Sequence, residues 1–320
     1  MAGKSANIRN IAVAGVLLTL FLVVGVAFRL LIYPLFQDKL VDATGSDSRY
    51  DHEITLLADS FSGYAALRSA GFHNELKTRG IKVEISDDAA DYAGRIKALK
   101  SGKAEMAVFT IDAFIAAGAD FGEYPGSIVA VIDETYGADA IVAYKDAVPN
   151  LQALNNPGSK LVLTPSSPSE FLARVAIAEF GLTQLSTKWV AADGAEAVAK
   201  KLKKAKRSEA NAYVLWEPSR SVALEDSDVH VLFDSSRLSG YIVDVLVVRR
   251  QYLVDHPDVA QSVVEAMLRA QFAAAKSPTG MVDLVLSDAS DGGAPLKPAQ
   301  AQAIVDGIRW RNTLENYAHF

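Results

Sequence analysis

The feature that most restricts this chain is a repeat: an order of β-α-β-α-β patterns returns after 106 residues without a gap. The first copy reads ITLLAD from Ile54, an amphipathic stretch to about Thr78, IKVEIS from Ile81, a helical pattern from Asp91 to Lys100, and AEMAVFT from Ala104. The second reads KLVLT from Lys160, a helical pattern from Ser169 to Phe180, TKWVA from Thr187, a helical pattern from Ala195 to Lys206, and NAYVLW from Asn211. Thirteen of the 56 positions from 54 to 109 are identical to their partners 106 residues on, so the shared order of elements weighs more than the identities. Short apolar strands alternating with helices predict parallel sheets covered on both faces, here two similar α/β units.

In an open parallel sheet, ligands sit beyond the carboxyl ends of the strands, where helix N-termini offer free N–H groups. The residues at those points are small and polar in both copies. Asp59 to Tyr64 (DSFSGY) follows the first strand, and its counterpart is Thr164 to Glu170 (TPSSPSE). The third strands end in Thr110-Ile-Asp112 and Trp216-Glu-Pro218. If the two sheets face each other, these four loops converge on one crevice.

The amino end is different in kind. Eighteen uncharged residues, Ile11 to Phe28, precede Arg29 and a second apolar run to Phe36. At about 1.5 Å per helical residue the first run alone reaches roughly 27 Å, close to the thickness of a bilayer core. Residues 1–39 are therefore expected to form a transmembrane anchor, with the membrane crossed over 11–36. A cleaved signal peptide, with Lys4 and Arg9 at its start and Gly25 to Ala27 at its end, is the other reading. Lys4 and Arg9 before the span favour a cytoplasmic amino end, which places the body on the extracytoplasmic side as a single-pass inner-membrane protein. Residues 40–52 are polar and suit a tether. The anchor segment holds four basic side chains and one acidic, leaving 28 against 37 for the rest of the chain. Such an acidic body lacks the field a nucleic-acid partner needs. The chain has no cysteine, so disulfides and thiolate sites are excluded.

The segments ADSFSGY, KSGKAEMAVFTIDA, DETYGADAIVAYKD, SSPSEFLAR, YVLWEPSRS and DSSRLSGYIVDVLVVRRQYLVDHPD together resemble the extracytoplasmic solute-binding proteins of ABC importers. They are most similar to the branch that binds nitrate, alkyl sulfonates, taurine and pyrimidine precursors. The resemblance runs from about Glu53 to Lys276. It implies a two-lobed type II periplasmic-binding-protein fold whose hinge the chain crosses near Glu134 to Ala140 and Ser235 to Val243. Lobe 1 would comprise 53–137 and 237–320, and lobe 2 would comprise 138–236. The resemblance also implies a crevice lined by Ser60, Phe61, Ser62 and Tyr64, by Thr110 and Asp112, and by Glu134, Tyr136 and Asp139 at the hinge. Ser167, Ser169, Glu170, Trp216 and Glu217 would complete it. The tail GIRWRNTLENYAHF from Gly307 is similar to the end of the binding region in membrane-anchored members that continue into an OmpA-type domain.

Each of these residues also has a plainer use. The serines suit helix caps, Trp216 suits the end of a sheet, and the acidic hinge residues suit bonds that fix a lobe angle. Asp244, inside the apolar run YIVDVLVV, is the most costly carboxylate of the chain if its strand is central. It reads first as hinge or core and second as a ligand contact. The basic run from Lys200 to Arg207 interleaves with apolar residues at helical spacing, as a solvated helix face does. No HExxH, GxSxG, GxGxxG or complete phosphate-binding loop occurs, and the five histidines are scattered. No catalytic residue, metal or cofactor is therefore expected. The expected function is capture of a small polar solute between hinged lobes, for an ABC permease or a sensor. The alternative is an envelope scaffold that keeps the fold and holds partner proteins. Hydroxyls at helix N-termini suit an anion, whereas the surrounding carboxylates suit a cationic or donor-rich group.

Overall fold

The computed structural model describes residues 50–320 apart from Ser186 and Lys188. The expected membrane span over 11–36 and most of the tether lie outside the described residues. Among the described residues no helix is long and apolar enough to cross a membrane.

The first copy of the repeat gives β1 (His52–Ala58), α1 (Ala65–Arg68), α2 (Ala70–Thr78), β2 (Ile81–Asp87), α3 (Tyr92–Ser101), β3 (Met106–Thr110) and α4 (Ile111–Phe121). Strands β4 (Gly126–Thr135) and β5 (Asp139–Tyr144) then lead into the second copy. That copy gives β6 (Lys160–Leu163), α5 (Pro168–Glu179), β7 (Val190–Ala191), α6 (Gly194–Lys204), β8 (Asn211–Trp216) and α7 (Ser219–Ala223). Strands β9 (Val229–Asp234) and β10 (Val243–Arg249) follow. The chain ends in α8 (Arg250–Asp255), α9 (Pro257–Ala275), α10 (Gly280–Asp291), α11 (Pro298–Asp306), β11 (Ile308–Trp310) and α12 (Thr313–His319).

Two sheets result, in the orders β11-β4-β10-β3-β1-β2 and β7-β6-β8-β5-β9. The repeat is visible in the pairing. Strand β1 lies parallel between β2 and β3, and β6 lies parallel between β7 and β8. Each sheet also takes in one antiparallel strand that begins just after a crossing from the other sheet: β10 beside β3 and β4, and β5 beside β8 and β9. The chain passes between the sheets twice, over 136–138 and over 235–242. Strand β3 is buried along its whole length, as expected of a central strand with helices on both faces.

Helix ends follow the capping chemistry of their side chains. Ser69 accepts from Phe72 N at 3.2 Å, Asp91 from Gly94 N at 2.8 Å and Ser167 from Ser169 N at 3.1 Å. The carboxy-terminal residues finish the first sheet. Strand β11 adds to the edge of β4, and the Asn316 side chain donates to Val131 O at 2.9 Å and accepts from Val131 N at 2.7 Å. That amide satisfies backbone groups which an open edge would leave unpaired.

Candidate functional site

The carboxyl ends of both sheets meet at one small void of about 10 Å³, room for about one water molecule with the lobes in this position. Its walls include Phe61, Tyr64 and Tyr92 from the first copy, Pro168 and Trp216 from the second, and Ile242 from the crossing. Strand register sets its floor. Asp244 lies opposite Thr110 where β10 meets β3, and Asp139 lies opposite Trp216 where β5 meets β8. Thr110 and Trp216 are the same position of the repeat, so the floor is a two-fold echo: each sheet contributes the last residue of its third strand and an aspartate from the incoming strand. All four line the void.

Burial sets the electrostatics. Asp244 is 1% exposed, and Asp133 is its directly opposed partner on β4. Burial pushes the Asp133 carboxyl up to about 8, against a hydrogen bond with Asp244. Burial and the Asp133 charge together hold Asp244 well above the carboxylate range, and the Tyr64 hydroxyl, which donates to Asp244 Oδ1, opposes this. Two buried carboxyls in such contact share a proton. Asp139 is pushed up to about 7, by burial first and then by the charges of Asp112 and Glu217.

The neighbouring arginines are committed. Arg95, fully buried, bonds Asp59 at 3.0 Å, Asp88 and the Val108 carbonyl. Arg220 bonds Glu217 at 2.9 Å, Arg311 bonds Glu134, and Arg68 bonds Asp288 at 2.6 Å. Several polar atoms around the void make no hydrogen bond with a protein group: Asp139 Oδ2, Asp244 Oδ2, Thr110 Oγ1, Thr135 Oγ1 and Trp216 Nε1. The Thr135 hydroxyl stands beside Asp139 without the geometry of a formed bond.

Of the residues expected at the crevice, the structure brings Phe61, Tyr64, Thr110, Asp139 and Trp216 to the void. Ser60 and Ser62 face a second, wider recess with Arg68, Asp87, Glu196 and Asp288. Asp112 opens α4 near Asp139, and burial raises its carboxyl. Ser169, in the first turn of α5, is buried with its hydroxyl unpartnered.

The remaining expected residues are engaged in the scaffold. Glu217 accepts from Arg220, Ser221 N and Ser221 Oγ, each at 2.9 Å. Glu134 accepts from Arg311, from Gly240 N and, at 3.1 Å, from Ser239 Oγ, so it ties the end of β4 to the second crossing. Glu170 takes Ser166 N at 2.9 Å and Arg174 at 2.8 Å, Ser167 caps α5, and exposed Tyr136 stacks under Arg309 at 3.8 Å. Residues that the loop-end reading omits are Asp133, Tyr92, Thr135 and Ile242. The signal for Asp133 was its place in the apolar run AVIDET, the same kind of signal that marked Asp244.

Two α/β lobes built by a repeat, crossed twice by the chain and meeting at the ends of their strands, define the two-lobed periplasmic-binding fold. Solved structures agree. The alkanesulfonate-binding protein SsuA from Xanthomonas axonopodis pv. citri bound to MOPS matches with a TM-score of 0.64 and 15% identity, over 82% of this chain and 87% of that one. The aliphatic sulphonate binding protein SsuA from Escherichia coli matches with a TM-score of 0.62 and 16% identity, over 81% and 86%. The periplasmic nitrate-binding protein NrtA from Synechocystis PCC 6803 matches with a TM-score of 0.55 and 14% identity, over 74% and 65%. No curated protein matches the chain. The family profile described as NMT1/THI5 like matches residues 61–281, and the chain belongs to that family.

Proposed function

We propose that this chain is a membrane-tethered extracytoplasmic solute-binding protein that closes two hinged lobes over a small polar molecule. An ABC permease or a sensor would read the closed state. The lobes are 53–137 with 237–320, and 138–236; residues 1–39 are the inner-membrane anchor and 40–52 the tether. The observation that carries this reading is the floor of the void, where polar groups from both sheets converge with atoms unpartnered by protein. A solute touching Asp244 on one sheet and Trp216 on the other gains contacts that exist only when the lobes meet, and that difference shifts the population toward closure. The likeness to proteins titled for sulfonate and nitrate binding supports the class of activity. Their ligands are anions, and the acidic floor here does not suit an anion.

Because the chain has no native cysteine, Lys97→Cys on α3 and Lys203→Cys on α6, both exposed, allow two dyes to report the distance between lobes. One or more solutes from a panel of nitrate, sulfonates, amino acids, pyrimidines and amines should shift that distance. A distance unmoved by every solute, together with a stable membrane-protein complex that survives Trp216→Ala, would instead favour the envelope scaffold.

A further inference from the structure

We infer that the crevice takes a compact organic cation, an ammonium or amidinium with at least two N–H donors, held between Asp139 and Asp244 against the Trp216 ring. This rests on the solute-binding reading and names the chemical class of the solute.

The register of the two antiparallel strands delivers one carboxylate from each sheet to the same void. Asp139 is 2% exposed and Asp244 1%; Asp139 Oδ2 has no protein donor, and Asp244 Oδ2 has none besides the proton it shares with Asp133. A buried acceptor left in that state is costly, and two of them on opposing lobes call for a donor-bearing group between them. One donor reaches Asp244 from the protein, the Tyr64 hydroxyl, and it is taken up by the other oxygen.

Nearby positive charge is spent. Arg95, Arg220, Arg311 and Arg68 each bond a carboxylate other than Asp139, Asp244 or Asp133. With no cation to spare, the carboxyls at the void keep protons; an organic cation can take a proton's place between Asp139 and Asp244, whereas an anion brings no charge that compensates them. The walls narrow the class further. Phe61, Tyr64, Tyr92 and Trp216 offer aromatic surface, which attracts an organic cation and gives poor solvation to a strongly hydrated inorganic ion. Among the described residues no three His, Asp or Glu side chains are arranged to hold a metal ion. Trp216 Nε1 is a donor without a partner, so the same molecule carries a neutral hydrogen-bond acceptor.

The test is calorimetric titration and thermal unfolding of the full chain in detergent. The cationic probes are benzamidinium, phenethylammonium, histamine and agmatine; the neutral and anionic ones are benzamide, benzoate, benzenesulfonate and nitrate. At least one cation should bind saturably and raise the unfolding temperature while its uncharged or anionic counterpart does not, a contrast read in the unaltered protein. Asp139→Asn and Asp244→Asn should each weaken that cation by about tenfold or more, the loss of one charged hydrogen bond. Binding by anions or benzamide alone overturns the cation inference and leaves solute binding standing. Cation binding that survives both substitutions also overturns it. No response to any probe, with the inter-lobe distance unmoved, overturns both readings.

Discussion

Arg95 and Lys201 occupy the same place in the repeat, 106 residues apart, and carry the same charge in opposite surroundings. Arg95 is fully buried on α3, its guanidinium over the Tyr92 ring at 4.7 Å and bonded to Asp59 and Asp88. Lys201, on α6, is exposed. The difference extends along both walls of the crevice. In the first sheet the partner opposite Asp244 is another carboxyl, Asp133. In the second, Ser235 follows the strand beside Asp139, and its hydroxyl accepts from the backbone N of Asp139 at 3.3 Å and of Gly137 at 2.8 Å. One wall thus sets a carboxyl pair beside a buried arginine network, and the other sets a single aspartate, Asp139, and the Glu217–Arg220 pair among hydroxyls, proline and an indole. The repeat supplies a common frame, and side chains at the strand ends make the two walls unlike.

Removing Arg95 attacks the contrast where it is greatest. Arg95→Met keeps the apolar stem and leaves Asp59 and Asp88 without their cation, which should cost about 3–5 kcal/mol. Denaturant unfolding monitored by circular dichroism measures it. A loss below about 1 kcal/mol would mean that the buried guanidinium network contributes no more than a surface ion pair does.

The next contrast is steric. A Cβ on Gly63 would stand 2.4 Å from the Phe61 ring and 2.5 Å from the Asp133 carboxylate, while the repeat places a serine, Ser169, at the equivalent position. Gly63→Ala should therefore cost about 1–3 kcal/mol, the usual penalty for overpacking a close-packed site. A change near zero would show that the loop from Phe61 to Tyr64 can back away from Asp133.

These two sites also show what the sequence makes legible and what it hides. The strand and helix order of each repeat copy and the strand-end loops can be read from the chain, because apolar periodicity is local and the 106-residue offset shows it twice; the two crossings follow only from the family resemblance. Asp244 stands out as costly for the same reason. Its pairing with Asp133 depends on the register between strands more than a hundred residues apart, which no local pattern encodes. Arg95 looks like any charge on an amphipathic helix until Asp59 and Asp88 fold around it. Glu217 and Glu134 look available from sequence, and the folded chain engages both in bonds of its own.

The carboxyl pair gives the third test. Asp133 and Asp139 hold their protons up to about 8 and about 7, and Asp244 is raised as well, so the folded chain binds protons that the unfolded chain has released. The groups facing them are Asp59, Asp112, Glu217, Tyr64 and Arg311. For raised acids the contribution to stability is full below about pH 4 and is lost as pH rises through 7 and 8. Unfolding free energy should fall across that window. Asp133→Asn, whose amide can donate to Asp244, should flatten the fall and leave the protein about 1–2 kcal/mol more stable at pH 8. A profile that Asp133→Asn does not change would mean the pair ionises freely in the folded state.

The smallest effects belong on the second wall, and they make the comparison two-sided. Lys201→Ala removes an exposed charge, and Ser169→Ala removes a buried hydroxyl that no protein group engages. Neither change opens a large cavity or strands a partner, so each should shift stability by no more than about 0.5 kcal/mol. Denaturant midpoints of the two variants, measured beside Arg95→Met and Gly63→Ala, provide the check. If Lys201→Ala proved as damaging as its counterpart, Lys201 would belong to a charge network beyond the Glu217–Arg220 pair, and the asymmetry that makes the first wall acidic would not account for selectivity. If Ser169→Ala alone were costly, its hydroxyl would be bonded through water at the mouth of α5, and the second wall would be wetter than its protein contacts indicate.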